Sequence, residues 1–231
     1  MGKLCLMSLL REVGLEKFNN MVAEAQNQLL VENRWAKRGC FEQLFDTQIA
    51  TLEDRGVPKQ IVEILQNQRS QVLAKANKMY FDNGCLSFLP VIPRTYLSIY
   101  SQMPMVFKSG NAGFTELKPN NITDVIDTPD DPYYIYDIED GKAMLGMAPM
   151  QKAEKLINEQ MRFGLTEVEV IALGIHTDVL SKHYVDAVGS RYYSDGIPYL
   201  FLEVGKKPVL SRSHLDVDDN HFGAASCGSR G

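Results

Sequence analysis

The sequence predicts an α+β protein, with an N-terminal helical region followed by a mixed, mainly antiparallel sheet domain that carries further helices. Three observations in the 231 residues support this fold class. Apolar residues recur at helical spacing over the first part, β-prone segments and turn residues prevail in the second, and strands and helices do not alternate strictly there. That irregular order favours α+β over a doubly wound sheet. We therefore expect a helical region over residues 1–80 and an α+β domain over residues 85–231.

The helical region is predicted from three amphipathic stripes. Apolar side chains spaced three and four residues apart fall on one face of a helix. Such stripes run from residue 15 to 29, from 41 to 52 and from 61 to 72, with breaks at Gly39 and Gly56. They predict a small bundle whose faces serve either core packing or a protein partner, including a second copy of this chain.

Extended chain is predicted where β-prone residues are bounded by turn formers. Residues 86–93 contain two prolines and break the helical period, and residues 108–111 carry a hairpin signal. Residues 132–138 are rich in tyrosine and isoleucine and end at the turn 139–141. Residues 199–210 predict another hairpin.

Helices are also predicted within the second part. Thr166 and Glu169 form a capping-box pattern, in which the first helical turn has its free amides satisfied by these two side chains. The pattern begins a helix that runs through Leu173. Further helices are expected over residues 150–162 and 177–188.

Charge and hydropathy exclude several function classes. The chain has 24 basic and 29 acidic residues and a net charge of −5, which disfavours nucleic acid as a partner. No apolar stretch approaches the roughly 20 residues of a membrane span, and the N-terminus lacks a signal-peptide pattern. We therefore expect a cytoplasmic protein with neither a membrane nor a nucleic acid as partner.

The four cysteines, Cys5, Cys40, Cys85 and Cys227, are isolated along the chain. No CxxC pair or Cys–His spacing fits a zinc module, and a chain of this length does not need a disulfide framework. Free thiols are therefore expected. Because phosphate-loop, dinucleotide-binding and zinc-protease motifs are absent as well, we expect no cofactor and assign no metal site.

Two acidic stretches nevertheless leave a question about metal binding open. Residues 124–140 hold seven carboxylates and no basic residue, a set that suits Ca²⁺ or Mg²⁺ or simply serves exposed turns. Residues 216–220 resemble the start of an EF-hand loop, but His221 and Cys227 replace the required glycine and glutamate. The EF-hand is excluded, whereas a looser metal loop that includes His214 or His221 stays open.

A thiol site is one candidate for chemistry. Cys227 is a candidate nucleophile if an imidazole or a cation lowers its pKa. If residues 177–188 are helical, His183 and Asp186 are neighbours, which suits a general base and its orienting carboxylate. The alternative is that Cys227 is an inert thiol and that the other two residues are structural.

An anion site is the other candidate. The tripeptide Gly-Ser-Arg occurs at residues 189–191 and again at 228–230, and its hydroxyl and guanidinium groups suit an anionic ligand. The alternative is that Gly189 ends a helix and that the arginines pair with carboxylates of the protein. The four expected donors are Ser190, Arg191, Ser229 and Arg230.

Several segments together resemble an uncharacterised bacterial protein family. They are RFGLT at residues 162–166, TDVLSKHYVDAVGSRY at 177–192 (with HYVDAxGSRY as its motif), SCGSR at 226–230, FLPVIPRTYLSIY at 88–100 and PYYIYDIEDG at 132–141. The resemblance covers residues 85–231. It implies no activity, because the family is a domain of unknown function. The residues that it singles out for mutation are His183, Asp186, Arg191, Cys227 and Arg230.

The function expected from these features is that of a binding or regulatory domain. Its C-terminal pocket would hold a small anionic ligand or a peptide carboxylate. One alternative is a Cys–His hydrolase or acyltransferase that uses Cys227 and His183. The other is a protein-interaction module that binds through the N-terminal helices.

Overall fold

The computed structural model describes residues 40–81, 85–214 and 219–231. The chain divides into two compact units, residues 1–44 and residues 45–231. The first predicted helical stripe, at residues 15–29, and Cys5 lie outside the described residues. The architecture given below is that of the second unit.

Three helices come first among the described residues; one contains the predicted stripe at residues 41–52, and the stripe at residues 61–72 is divided between the other two. Helix α1 covers residues 40–54, and its part from residue 45 onward belongs to the second unit. Helix α2 (Lys59–Asn67) follows Pro58, whose missing amide and fixed φ suit a helix start. Helix α3 (Arg69–Ala76) comes next, and all three bury their apolar faces. The second unit holds α1 from residue 45 onward, α2, α3 and the sheets that follow.

Strands occupy much of the chain from residue 86 onward, with short helices between them. The helices are α4 (Ile99–Gln102), α5 (Glu154–Glu159) and α6 (Glu167–His176). In chain order the strands are β1 (Leu86–Val91), β2 (Phe107–Lys108), β3 (Asn111–Ala112), β4 (Phe114–Thr115), β5 (Ile122–Asp124), β6 (Tyr133–Glu139), β7 (Phe163–Gly164), β8 (Tyr184–Asp186), β9 (Ser190–Tyr192), β10 (Gly196–Leu202), β11 (Pro208–His214), β12 (Phe222–Ala224) and β13 (Ser226–Arg230).

The first sheet is antiparallel, with the strand order β1-β6-β13-β7. Its central strand β6 is buried from Tyr133 to Tyr136. The ring of Tyr134 stacks on Phe45 of α1 at a centroid distance of 5.6 Å and meets Phe88 of β1 edge-on at 6.1 Å. The main core therefore lies where the helices cover this sheet.

The second sheet is mixed, with the order β12-β8-β10-β11-β4, and β9 joins β5 to β10. The pairs β12–β8 and β11–β4 are parallel, and the others are antiparallel. A small apolar cluster joins this sheet to helical residues, and its buried members are Met144, Ala153, Ile157, Val188, Ile197 and Ala224. The α+β class is confirmed.

The helix predicted over residues 177–188 is wrong. The structure has a single 3-10 turn at Val179–Ser181 and then strand β8. Strand β8 is hydrogen-bonded to β10 on one side and to β12 on the other. These tertiary hydrogen bonds outweigh the local helical spacing of the segment.

The helix predicted over residues 150–162 is only partly present. A π-helical turn at Pro149–Ala153 leads into α5, which ends at Glu159. Met161 then has a positive φ of 54°, which no residue within a right-handed helix adopts. By contrast, the helix predicted to start at Thr166 is confirmed as α6.

Candidate functional site

Cys227 lies inside strand β13 and is fully buried. Burial, followed by the nearby charge of Glu169, raises the pKa of its thiol to about 12. A nucleophilic cysteine has a lowered pKa instead, because the thiolate is the reactive form. The environment of Cys227 is therefore that of a structural thiol.

His183 and Asp186 do not form the expected pair. The Nε2 atom of His183 lies 3.0 Å from the main-chain oxygen of Asp140. The carboxylate of Asp186 is buried, neither of its oxygens has a hydrogen-bond partner among the described residues, and burial raises its pKa to about 7. Residues 184–186 do meet the C-terminal segment, since Ala224 pairs with Asp186. The side chain of His183 contacts the main chain of Asp140, and those of Cys227 and Asp186 are fully buried. A catalytic role for these three residues stays a prediction.

The guanidinium group of Arg191, in strand β9, is bound by two nearby main-chain oxygens and by the carboxylate of Glu154. Its Nη1 atom donates to the main-chain oxygens of Val188 and Ser190, at 2.8 and 3.0 Å. Its Nη2 atom donates to Oε2 of Glu154 at 2.9 Å. The side chain of Arg191 is 11% exposed and that of Glu154 is 32% exposed, so this ion pair reaches solvent on the side of the carboxylate.

Arg230 of strand β13 is bound more tightly within the protein. Its Nε and Nη2 atoms donate to the two carboxylate oxygens of Glu169 at 2.6 and 2.8 Å. The same carboxylate accepts the hydroxyl of Tyr133 and the amide of Thr166, each at 2.8 Å. Since Glu169 is fully buried, this network crosslinks α6 to the first sheet.

The two predicted Gly-Ser-Arg sites lie on different sheets. Ser190 and Arg191 belong to β9 of the second sheet, whereas Ser229 and Arg230 belong to β13 of the first. The hydroxyl oxygen of Ser229 is buried and has no hydrogen-bond partner in the part of the chain that the structure describes. The shared anion pocket expected from the sequence stays a prediction.

Ser190 belongs to a cluster that the sequence analysis did not assemble. We name it the Arg94 cluster, after the residue that bridges its two acids. Arg94 follows β1, Asp124 ends β5, Glu167 begins α6 and Ser190 begins β9. Asp124 and Ser190 are register partners in the β5–β9 ladder. The cluster therefore joins one loop, one helix start and two strands.

The contacts of the Arg94 cluster form a closed circuit. Arg94 donates through Nη1 to Oε1 of Glu167 at 2.6 Å and through Nη2 to Oδ2 of Asp124. The hydroxyl oxygen of Ser190 lies 2.7 Å from Oδ1 of Asp124 and 2.8 Å from Oε2 of Glu167. It also accepts the main-chain amide of Glu167 at 3.0 Å. Every carboxylate oxygen of the two acids therefore has a partner.

The two acids of the cluster differ in their electrostatic surroundings. Glu167 is fully buried, whereas Asp124 and Arg94 are about one-fifth exposed. Burial, followed by the negative charge of Asp124, raises the pKa of Glu167 to about 7, although Arg94 and Ser190 oppose this rise. A buried acid with a raised pKa beside a second carboxyl group is typical of proton-transfer sites.

The sequence did not indicate that Asp124, Glu167 and Arg94 belong to one cluster. Asp124 was counted with the acidic stretch, Glu167 lay unremarked inside the capping-box segment, and Arg94 lay unremarked inside FLPVIPRTYLSIY. The one available signal was an acid at the first position of a mostly apolar helix. Such an acid also suits the positive end of the helix dipole, so this signal alone does not indicate a cluster.

The acidic stretch at residues 124–140 is partly used for ion pairs. Asp124 is paired with Arg94, and Asp137 is paired with Arg162. The Nε atom of Arg162 also donates to the hydroxyl of Ser226 at 2.9 Å. Asp131 accepts the hydroxyl of Tyr96. Within residues 40–81, 85–214 and 219–231, no three His, Cys, Asp or Glu side chains are grouped so as to hold a metal ion. Residues 216–218 of the other acidic stretch lie outside the described residues.

None of the helices within the described residues combines the length and the apolar character that are needed to cross a membrane.

Comparison with known proteins assigns the family. A family model described as a family of unknown function (DUF5701) matches residues 43–205. No curated protein and no solved structure matches the chain. The resemblance to an uncharacterised domain is thereby confirmed, while the bacterial origin and the individual motifs stay predictions. Because the match spans more than half of the sequence, the chain belongs to the family of unknown function DUF5701.

Proposed function

We propose that the protein is a binding or regulatory domain that recognises the carboxylate or phosphate group of a small ligand at Arg191. The observation that carries this proposal is the contact between Arg191 and Glu154. Two main-chain oxygens orient the guanidinium group, and a single, partly exposed carboxylate occupies its outer nitrogen.

A guanidinium group whose orientation is already fixed by the protein binds anions well. Its planar fork matches carboxylate and phosphate oxygens, and little side-chain entropy is lost when the fork is already fixed. In this proposal the carboxylate of Glu154 takes the place that a ligand's carboxylate occupies in the complex. Glu154 begins the short helix α5 directly after a π-helical turn, a kind of turn that is frequent at functional sites.

Arg191 is a better candidate than Arg230 for this role. The carboxylate that binds Arg230 is fully buried and accepts two further hydrogen bonds, from Tyr133 and Thr166. A ligand that displaced Glu169 would leave those two donors unsatisfied, at a cost of about 1–3 kcal/mol each. Displacing Glu154 from Arg191 leaves a partly exposed carboxylate that water can solvate.

The proposal is tested with the Glu154→Gln variant and two probes, succinate and inorganic phosphate. The substitution removes the competing charge and keeps the shape of the side chain. We expect the affinity of the full chain for at least one probe, measured by calorimetry, to rise several-fold. Glu159→Gln is the matched control, because it neutralises an exposed acid on the same helix whose ion pair is with the exposed Lys155. This control should bind like the wild type.

Adding Arg191→Gln to the Glu154→Gln variant should abolish the gain. The proposal is overturned if the Glu154→Gln variant binds both probes no better than the wild type does. It is also overturned if the gain survives the loss of Arg191.

The other two functions stay predictions. Among the described residues, no hydrogen bond joins Cys227 to His183, so the hydrolase or acyltransferase gains no support from this geometry. The partner surface or self-association expected from the N-terminal helices rests on residues 1–80, of which 1–39 lie outside the described residues. The cytoplasmic location also stays a prediction.

A further inference from the structure

We propose that Asp124 and Glu167 share one proton across the hydroxyl of Ser190, so that the Arg94 cluster is a pH-sensitive switch within the fold. The inference is independent of the ligand proposed for Arg191. It rests on a count of hydrogens in the closed circuit of contacts.

The count starts at the hydroxyl oxygen of Ser190, which has three close partners. A serine hydroxyl carries one hydrogen and two lone pairs. One lone pair accepts the main-chain amide of Glu167 at 3.0 Å. The single hydrogen serves one of the two carboxyl oxygens, at 2.7 Å from Asp124 or 2.8 Å from Glu167. The other carboxyl group must then bring its own hydrogen to the second lone pair, because two lone pairs at this distance repel each other.

The charge of the cluster leads to the same proton count. With one shared proton, Arg94 and the remaining carboxylate cancel, so the cluster is neutral. Without that proton, one negative charge is left in excess between Glu167 and Ser190, both of which are fully buried. Uncompensated buried charge is strongly unfavourable. The folded protein therefore retains the proton to a higher pH than a free carboxylic acid does.

The charged groups that act on Glu167 come from the elements packed around it. They are Asp124 at the end of β5 and Arg94 in the segment after β1. Two nearby side chains of the same elements are already neutralised elsewhere: Glu169 is paired with Arg230, and Arg191 is paired with Glu154. The proton balance of the cluster is therefore set within the cluster. Asp124 and Arg94 form its exposed edge, through which the proton exchanges with water.

Proton loss affects the fold because the cluster links four elements. In the neutral state the hydroxyl of Ser190 joins β9 to β5 and to the start of α6. After proton loss one of the two carboxylate contacts of that hydroxyl becomes repulsive. We expect the start of α6 to loosen from β5 and β9 as the pH rises through neutrality.

The direct test is a pH titration of the side-chain carboxyl carbons of the full-length wild-type protein by ¹³C NMR. We expect the resonance of Glu167 to show a transition near neutrality, and the resonance of the hydrogen-bonded Asp124 carboxyl group to sense the same proton loss. In Glu167→Gln the amide N–H replaces the acid hydrogen, and the transition near neutrality should therefore disappear from the Asp124 resonance. Glu159→Gln is the control, because it removes an exposed acid whose ion pair is with Lys155, outside the cluster, and it should leave the transition unchanged.

Two results would overturn the proton-sharing proposal. One is a wild-type spectrum in which both carboxyl carbons complete their titration below a pH of about 5, the range of ordinary carboxylic acids. The other is a neutral transition of Asp124 that persists in Glu167→Gln. The first of these results needs only the wild-type spectrum, so the test does not depend on the folding of a variant.

Discussion

Asp124 and Ser190 face each other across the antiparallel ladder of β5 and β9, with the serine hydroxyl 2.7 Å from the aspartate oxygen. This contact joins the acidic stretch of residues 124–140 to the segment 177–192, two parts of the sequence with separate expected roles. It also places the first Gly-Ser-Arg site beside two acids. The serine of that site serves the fold, while its arginine points to Glu154.

Replacing Arg94 with glutamine should move the neutral transition of the cluster to higher pH. The guanidinium group stabilises the charged form of Glu167, so its loss makes this acid weaker. The same carboxyl NMR titration measures this shift. A transition that moves to lower pH, or does not move, would contradict the arrangement of charges described for the cluster.

Asp186→Asn should change how stability depends on pH. Burial without a partner raises the pKa of Asp186 from 3.8 to about 7, so the folded state holds a proton that the unfolded chain releases first. The raised pKa of Asp186 does not affect the stability of the fold below a pH of about 4. As the pH rises to about 7, it lowers the free energy of unfolding by a few kcal/mol. An asparagine has no proton to lose, so the variant should gain stability relative to the wild type between these values.

Urea unfolding at several pH values measures this difference between Asp186→Asn and the wild type. Asp178→Asn is the control, because that carboxylate is largely exposed, and its stability should follow the wild type at each pH. If the free-energy difference between Asp186→Asn and the wild type stays constant across the range, then Asp186 is charged in the folded protein.

Arg230→Ala should lower the free energy of unfolding by about 3–5 kcal/mol, the usual effect of removing one partner of a buried ion pair. The substitution leaves the carboxylate of Glu169 buried without its cation. Arg212→Ala serves as the comparison, since its ion pair with Asp195 is exposed and long at 4.0 Å, and it should cost about 0–1 kcal/mol. Equal effects of the two substitutions would contradict a structural role for the Arg230 pair.

Cys227 should resist alkylation in the folded protein. Its thiol is buried and its pKa is raised, whereas Cys40 is exposed. With iodoacetamide at neutral pH, peptide mapping by mass spectrometry should show Cys40 modified rapidly and Cys227 modified only when the protein unfolds. Rapid modification of Cys227 in the native state would instead favour the thiol-enzyme prediction.

Local sequence signals predicted the parts of the fold that local contacts determine. The spacing of Ile61, Leu65 and Val72 gave the buried face of α2 and α3, because a helix places such residues on one side whatever they pack against. Glu169 accepts the amide of Thr166 at 2.8 Å, as the capping-box pattern predicts. The tyrosine-rich segment at residues 132–138 gave the central strand of the first sheet.

Tertiary contacts determine the parts that were not predicted. His183 and Asp186 have helical spacing, but the ladders from β10 and β12 draw residues 184–186 into a strand. That change removes the geometry on which their pairing depended. The Arg94 cluster draws on residues far apart in the chain, and no local spacing shows that Arg94 bridges Asp124 and Glu167.

The proposed function is tested most directly at the guanidinium group of Arg191. In a ¹⁵N-resolved NMR titration of the wild-type protein with succinate and with inorganic phosphate, the Arg191 N–H resonances report on the group that pairs with Glu154. We expect these resonances to shift in a saturable way with at least one probe, and to saturate at a lower concentration of that probe in Glu154→Gln. Arg191 resonances that stay unchanged in both proteins, with both probes, would contradict ligand binding at this site.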